Sequence, residues 1–380
     1  MKIAVPKERA PGEHRVALVP DVIAKLIGGG HAITVERGAG AAAFYPDDAY
    51  AKAGAAIADG AAVYAGADVV ARVAKPDDAE VAAIPAGATL VGLLAPLGDP
   101  RSVERYAQRG ISALAMELIP RTTLAQAMDA LSSQASIGGY KAVVLAAEAL
   151  PKYFPMLTTA AGTVQPAKVL VIGAGVAGLQ AIGTARRLGA IVTGYDARSA
   201  VKEQVQSLGA KFLEIAGVEA TGQGGYAREL TPEEIAIQRA AMVKAIGGSD
   251  VVITTAAVPG RKAPVLVTAD AVAAMAPGSV IVDLAAETGG NCELTRAGQT
   301  IVSEGGVSII GAVNLPATVP THASQLYARN VQALLTYLYR DERLALDAND
   351  EIARGAVIVR AGEIVHEPTK SALAAPGGVV

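Results

Sequence analysis

Short runs rich in valine, isoleucine, leucine and alanine alternate along the chain with stretches of helical periodicity, the pattern of a parallel sheet covered on both faces. Two such series are present. The first predicts strands at Lys2 to Val5, Ala32 to Glu36, Asp68 to Val73, Thr89 to Leu93 and Ile111 to Met116, with linking helices such as Pro20 to Ile27 and Arg101 to Arg109. The second predicts strands near Lys168 to Ile172, Ala190 to Tyr195, Asp250 to Thr254, Ser279 to Asp283 and Val307 to Gly311. Between them, Ser136 to Leu150 carries a helical pattern long enough to bridge two lobes, and His322 to Arg340 is another. Two bridging helices imply that the chain after Arg340 returns to the amino-terminal lobe. There it is expected to form a hairpin of Ala356 to Arg360 and Glu363 to His366 around Ala361-Gly362, and to end in a loose tail from Ser371 to Val380.

Only the second series carries a glycine fingerprint. The run Val169-Leu170-Val171-Ile172 closes on Gly173-Ala174-Gly175-Val176-Ala177-Gly178, a Gly-x-Gly-x-x-Gly turn between a strand and a helix predicted from Val176 to Leu188. Gly173 permits the tight turn, Gly175 lets a pyrophosphate approach the backbone, and Gly178 lets the helix lie close to its strand. The phosphates would face the helix N-terminus. Asp196, at the end of the next apolar run, has the spacing of a carboxylate that accepts hydrogen bonds from an adenosine ribose, which favours NAD over NADP. A 2′-phosphate about 4 Å from Asp196 would cost roughly 1 to 4 kcal/mol, although Arg198 would soften that. The expected fold class is α/β: two Rossmann-like doubly wound parallel-sheet domains joined by two bridging helices. The first is discontinuous, residues 1–135 plus 322–380, and residues 136–321 form the NAD-binding domain.

Composition narrows the function classes. At 380 residues the chain is long enough for two ordinary domains, and with hydrophobic residues at 52% and charged residues at 18% it is globular. The net charge of −3 and the lack of a basic, aromatic-interleaved stripe argue against a nucleic-acid partner. Cys292 is the one cysteine, which excludes an internal disulfide and a cysteine-based zinc site and fits a reducing compartment. The opening Met1-Lys2-Ile3-Ala4-Val5-Pro6 enters a strand without the apolar segment of a signal peptide, so the mature start is expected at Met1. No run is long and apolar enough to suggest a membrane span.

A dehydrogenase acting on an alcohol or amine needs an acid/base beside the substrate heteroatom. The histidines are His14, His31, His322 and His366. His14 in a polar turn and His31 entering a strand read as structural or exposed, His366 as solvated, and His322, at the start of a bridging helix, as either cleft-facing or ordinary. No Ser/His/Asp arrangement and no metal-ligand spacing emerges. The block Pro120 to Gln134 gathers Arg121, Gln126, Asp129 and Ser132 without a natural proton carrier. Such groups are either helix caps and surface charges or partners for a primary amide, which offers both donors and an acceptor; nicotinamide carries one. The glycine-rich segment Thr221 to Arg228, around Tyr226, is either a ligand-closing loop or a surface connection.

On these residues the chain resembles, over nearly its whole length, the NAD(H)-binding alpha subunit, or domain I, of proton-translocating nicotinamide nucleotide transhydrogenases, in the superfamily that includes the alanine dehydrogenases. The resemblance rests on Ile3-Ala4-Val5-Pro6-Lys7-Glu8-Arg9 with Arg15-Val16-Ala17, the block Arg121 to Gln134, Gly173 to Gln180, Lys202-Glu203-Gln204-Val205, Gly224-Gly225-Tyr226-Ala227 and Gly289-Gly290-Asn291-Cys292. It implies that Arg121, Gln126, Asp129 and Ser132 hold the carboxamide and nicotinamide ribose, Gln126 aligning the two cofactors. It implies that Gly225 and Tyr226 lie in a mobile loop that closes on nucleotide. The implied cofactor site is completed by Thr122, Thr123, Ala174, Val176, Ala197 and Ala257, with no metal. Alanine dehydrogenases place a histidine after the strand matching Thr89 to Leu93, where this chain continues Leu94-Ala95-Pro96-Leu97. Their substrate lysine falls near Ala74, beside Lys75, and Arg15, their carboxylate ligand, is common to both groups. Without the histidine, amine oxidation lacks its proton acceptor, whereas hydride transfer between two nicotinamides needs none. The expected function is therefore placement of NADH for hydride transfer to NADP⁺ on a partner subunit, coupled to proton translocation. The resemblance further implies a homodimer, NADP(H)-binding and membrane-spanning partner subunits, and a cytoplasmic location at the inner face of the membrane. The alternatives are an alanine dehydrogenase-like enzyme and a non-catalytic NAD-sensing module.

Overall fold

The computed structural model describes residues 1–218, 230–256 and 262–374. The chain divides into two compact units, Met1–Gln134 with Pro316–Val380, and Ala135–Leu315. The first unit opens with strands β1 (Lys2–Val5), β2 (Ala32–Glu36), β3 (Ala56–Ala58), β4 (Val69–Ala74), β5 (Thr89–Leu93) and β6 (Ser112–Ala115), which lie side by side in the order β3-β2-β1-β4-β5-β6, all parallel. Residues of β4, β5 and β6 are buried almost throughout, because helices cover both faces of the sheet and no polar alternation is needed. The helix Pro20–Gly28 begins with proline at its first turn and Asp21 beside it, favourable at a helix N-terminus, and buries Val22, Ile23 and Leu26.

In the second unit a hairpin of β7 (Leu157–Thr159) and β8 (Gly162–Val164) precedes β9 (Lys168–Ile172), β10 (Ile191–Tyr195), β11 (Lys211–Phe212), β12 (Val251–Thr254), β13 (Val280–Asp283), β14 (Thr300–Val302) and β15 (Ser308–Gly311). Their order is β11-β10-β9-β12-β13-β15-β14, parallel except for β14. Both sheets reverse direction of growth beside their first strand, between β1 and β4 and between β9 and β12, the doubly wound arrangement in which ligands sit outside the carboxyl ends of the strands.

The chain then re-enters the first unit. The helix Pro320–Leu338 sinks Tyr327, Val331, Leu334, Leu335 and Leu338 into that unit's core. After a small ribbon of β16 (Tyr339–Arg340) and β17 (Arg343–Leu344), β18 (Val357–Arg360) joins the edge of β6 antiparallel and turns into β19 (Glu363–Ile364). That turn has positive φ at both Ala361 (45°) and Gly362 (84°), the conformation of a two-residue hairpin whose twist matches its strands. Each parallel sheet thus carries one antiparallel edge, supplied by this hairpin in the first unit and by β14 in the second.

Two expectations are corrected. The first long helix spans Ala130–Ala149, starting well before Ser136, because Asp129 accepts the amide of Ser132 and so caps an earlier turn. The carboxyl terminus is helical over Glu367–Ala374, so Ser371 to Ala374 are not a loose tail; Thr369, fully buried, anchors this helix with a hydrogen bond to His366.

Candidate nucleotide site

The second unit builds its fingerprint from backbone clearances. Gly173 ends β9 at φ 96°, and a Cβ there would meet Thr255 Oγ1 at 2.6 Å. A Cβ on Gly178 would fall 1.8 Å from the Gly173 carbonyl oxygen, so only glycine lets the helix Val176–Arg187 seat on its strand. A Cβ on Gly175 would meet nothing within 4 Å: the space above it is open. Packing therefore explains Gly173 and Gly178 and leaves Gly175 unexplained except by something that approaches its backbone. Gly175 also stands at the N-cap of the helix with no side chain covering the first amides, and Val176 beside it is exposed. Together these leave a site fitted to an anionic group.

Asp196 follows β10 and sits against this turn. Its Oδ2 accepts the Ala174 amide at 2.8 Å, and the Arg198 guanidinium folds back onto the carboxylate. Burial alone would push the Asp196 carboxyl up; the Arg198 side chain and the amides of Ala174 and Arg198 outweigh it and hold the group below its ordinary value. Ala197, half-buried, carries the chain between the two. The structure thus brings Gly173, Ala174, Gly175, Val176, Gly178, Asp196, Ala197 and Arg198 together. Gly225, Tyr226 and Ala257 lie outside the described residues.

Asn291 is a feature to which the sequence assigns no role. Fully buried, it accepts the Ala256 amide (3.0 Å) and donates to the carbonyls of Ala256 and Pro264 (both 2.8 Å). Ala256 and Thr255 are the backbone that packs on Gly173, so Asn291 fixes the far wall of the turn. Asp283, also fully buried, supports it by accepting from Thr254, Ala285, Cys292 and Thr295. Glycines at 289 and 290 with positive φ bend the chain there; a Cβ on Gly290 would stand 3.0 Å from Asp283 Oδ2.

The polar block belongs to the first unit. Asp129 accepts both the amide and the hydroxyl of Ser132, at 2.8 and 2.6 Å, so these two residues form a helix cap as well as a polar pair. Gln126 stands on the short turn Gln126–Met128, exposed, its side chain making no hydrogen bond among the described residues. Arg121 and Thr123 are exposed, and the Thr122 hydroxyl is buried without a partner among the described residues. The block is pinned from behind: Asn330 donates to the Ala127 carbonyl and accepts from Ser133, while Gln134 bonds to Arg15 and to the Ala323 carbonyl. Arg15 holds Glu13 through a bidentate pair. Lys75 is paired with Asp99 at 2.6 Å. After β5 the chain buries Leu94 and turns at Ala95, whose left-handed φ of 48° is held by its amide donating to Glu117.

The histidines divide by environment. His31 is buried edge-on against Tyr339, His14 is exposed with His322, and His366 is half-buried on Thr369, which corrects its reading as solvated. At the reversal point of the first sheet, a protein carboxylate fills the crevice. Glu8 accepts the amides of Val73 (2.6 Å) and Ala74 (3.3 Å) and pairs with buried Arg72, which also meets Glu80. Burial pushes the Glu8 carboxyl up against the opposing pull of Arg72.

This architecture is that of a two-unit dinucleotide-binding protein, and family models place it. Residues 4–138 match the alanine dehydrogenase/PNT N-terminal domain and residues 142–367 its C-terminal domain; the chain belongs to this family. It is 48% identical over 377 residues to the first of the chains that make up the NAD(P) transhydrogenase alpha subunit of Rhodospirillum rubrum, covering 96% of this chain and 98% of that one. Its fold matches the crystal structure of transhydrogenase from Sinorhizobium meliloti with a TM-score of 0.88 and 43% identity, over 96% of this chain and 100% of that one. A solved L-alanine dehydrogenase is more distant, with a TM-score of 0.81 and 27% identity over 98% of each chain. The relatives support an oxidoreductase role within a transhydrogenase complex. No described helix is long and apolar enough to cross a membrane.

Proposed function

We propose that this chain is the NAD(H)-binding component of a proton-translocating transhydrogenase, presenting NADH for direct hydride transfer to NADP⁺ held by a partner subunit. The observation that carries this reading is the open space above Gly175 at an uncapped helix N-terminus, with Asp196 against the same turn, in a chain nearly half identical to a transhydrogenase alpha subunit. When bound, NADH supplies the hydride from C4 of its nicotinamide. The chain's own residues bind and aim it. The amides after Gly175 receive the pyrophosphate, and Asp196 receives the adenosine ribose. Arg121, Thr122, Thr123, Gln126, Asp129 and Ser132 receive the carboxamide and the nicotinamide ribose, with Tyr226, Gly225 and Ala257 as further contacts. Asn291 keeps the glycine turn fixed, and Asn330 does the same for the polar block. The role is one of orientation: two nicotinamide rings held at about 3 to 3.5 Å gain several kcal/mol from alignment alone.

The partners in this reading are a second copy of the chain, an NADP(H)-binding subunit and membrane-spanning subunits that couple transfer to proton movement. The chain itself is then peripheral at the inner face of the membrane. Reconstitution tests it: NADH, an NADP analogue and added NADP-binding partner should give hydride transfer that needs both proteins. NADH binding without transfer in the complete mixture would sink the catalytic reading in favour of a sensing module.

A further inference from the structure

The Asp196 carboxylate is already saturated by its own protein. Its Oδ1 accepts the amide of Arg198 at 2.9 Å and Arg198 Nε at 2.8 Å. Its Oδ2 accepts the amide of Ala174 and Arg198 Nη2, each at 2.8 Å. A carboxylate offers about four lone-pair positions, so all are taken. A ribose diol reaches this acid only by displacing part of that set. The two backbone amides are fixed by the strand end and the turn; the guanidinium, on a flexible side chain, is what can leave.

We propose that Arg198 sets how sharply this site separates NADH from NADPH, acting as a displaceable internal counter-ion of Asp196 rather than as a contact to NADH. The inference rests on the NAD(H) reading of the site and adds a second residue to its specificity. Two consequences follow from the pairing, and they have opposite signs. Binding an unphosphorylated ribose costs the two guanidinium bonds, so the pair weakens NADH. A 2′-phosphate meets a neutralised acid instead of a bare one, and the displaced guanidinium, planar and bidentate, pairs well with phosphate oxygens, so the same residue softens the rejection of NADPH. An acid alone would discriminate more strongly than this acid with its arginine.

The test is titration of the unaltered chain and of Arg198→Ala with NADH and NADPH at fixed ionic strength. AMP and adenosine 2′,5′-bisphosphate serve as probes that report only the adenosine end. Arg198→Ala should bind NADH and AMP more tightly, by up to about fivefold, the range of a partly exposed ion pair. It should bind NADPH and the bisphosphate more weakly, by about tenfold or more. The reciprocal variant Asp196→Ala, which releases the guanidinium from the acid, should narrow the gap between NADH and NADPH. Arg198→Gln, which keeps a hydrogen-bond donor without the charge, should move both nucleotides in the same directions and decides the matter if the alanine variant fails to fold. Parallel weakening of NADH and NADPH in the arginine variants would make Arg198 an ordinary ligand contact, and unchanged affinities would remove the pair from specificity; either overturns the inference. An unaltered chain that binds neither NADH nor AMP would instead overturn the nucleotide reading beneath it.

Discussion

At the scale of single residues, the side chains that bind and the side chains that stabilise are readily told apart by what they touch. Gln126 makes no side-chain hydrogen bond among the described residues, yet stands exposed on a turn whose neighbours are pinned by Asn330 and Gln134. An available amide on a fixed mount suits alignment of a ligand. Gln126→Asn should therefore leave NADH affinity within the roughly 0.5 to 1.5 kcal/mol of one hydrogen bond, while hydride transfer in the reconstituted complex falls on the order of a hundredfold, since about 1 Å of misplacement suffices. A normal transfer rate would remove Gln126 from the mechanism. His31 makes the opposite case. Burial against Tyr339 lowers its pKa from the ordinary value, and its Nδ1 has no partner among the described residues. The fold thus holds the neutral ring, whereas the unfolded chain takes up a proton near about 6.5. The stability gained is complete above that value and is lost as pH falls through the folded one. Between neutral pH and about pH 5, the thermal midpoint of the unaltered protein should fall more than that of His31→Gln; equal slopes would contradict the assignment.

Elements explain why much of the fold is legible in the sequence. Lys168–Ile172 and Thr89–Leu93 are readable to the residue because strands buried on both faces are continuous apolar runs closed by turns. β3, β11 and the exposed hairpin of β7 and β8 are not, since two- or three-residue strands rich in alanine, lysine or threonine carry no periodicity. The site divides the same way. Glycine spacing is local, so the fingerprint can be read, but the Arg15–Gln134 and Ser133–Asn330 pairs join residues 119 and 197 positions apart, which only folding reveals. The fold-back of Arg198 stays hidden for another reason: spacing gives no rotamer. One pair of substitutions tests the element-level account. Gly178→Ala forces its Cβ into a backbone carbonyl that cannot yield, and should cost about 1 to 3 kcal/mol of stability. Gly175→Ala meets open space at an ordinary φ of −77°, so thermal unfolding should be unchanged while NADH binding weakens sharply. Equal loss of stability in both would mean that the clearance above Gly175 has no bearing on ligand binding.

At the scale of the whole molecule, two units both wind outward from a reversal point and differ in what occupies it. In the second, glycine and uncapped amides leave room for a phosphate; in the first, Glu8 sits on the amides of Val73 and Ala74 and Arg72 neutralises it, so the protein supplies its own anion. Calorimetric titration should accordingly find one NADH per chain. The same internal pairing bears on the competing activity. A 2-amino acid substrate needs a cationic anchor and a base; Lys75 is committed to Asp99, and the chain after β5 offers buried Leu94 and then Ala95 held by Glu117, with no imidazole. The purified chain should thus show no NAD⁺ reduction with L-alanine at any pH from neutral to alkaline, because no group at that position can accept the amine proton. Robust L-alanine-dependent reduction, persisting in preparations freed of contaminating dehydrogenase, would mean that some other residue supplies the base and that this chain completes a turnover alone. Its absence, beside intact NADH binding at one site per chain, leaves transfer to a second nicotinamide as the reaction for which the unit is built.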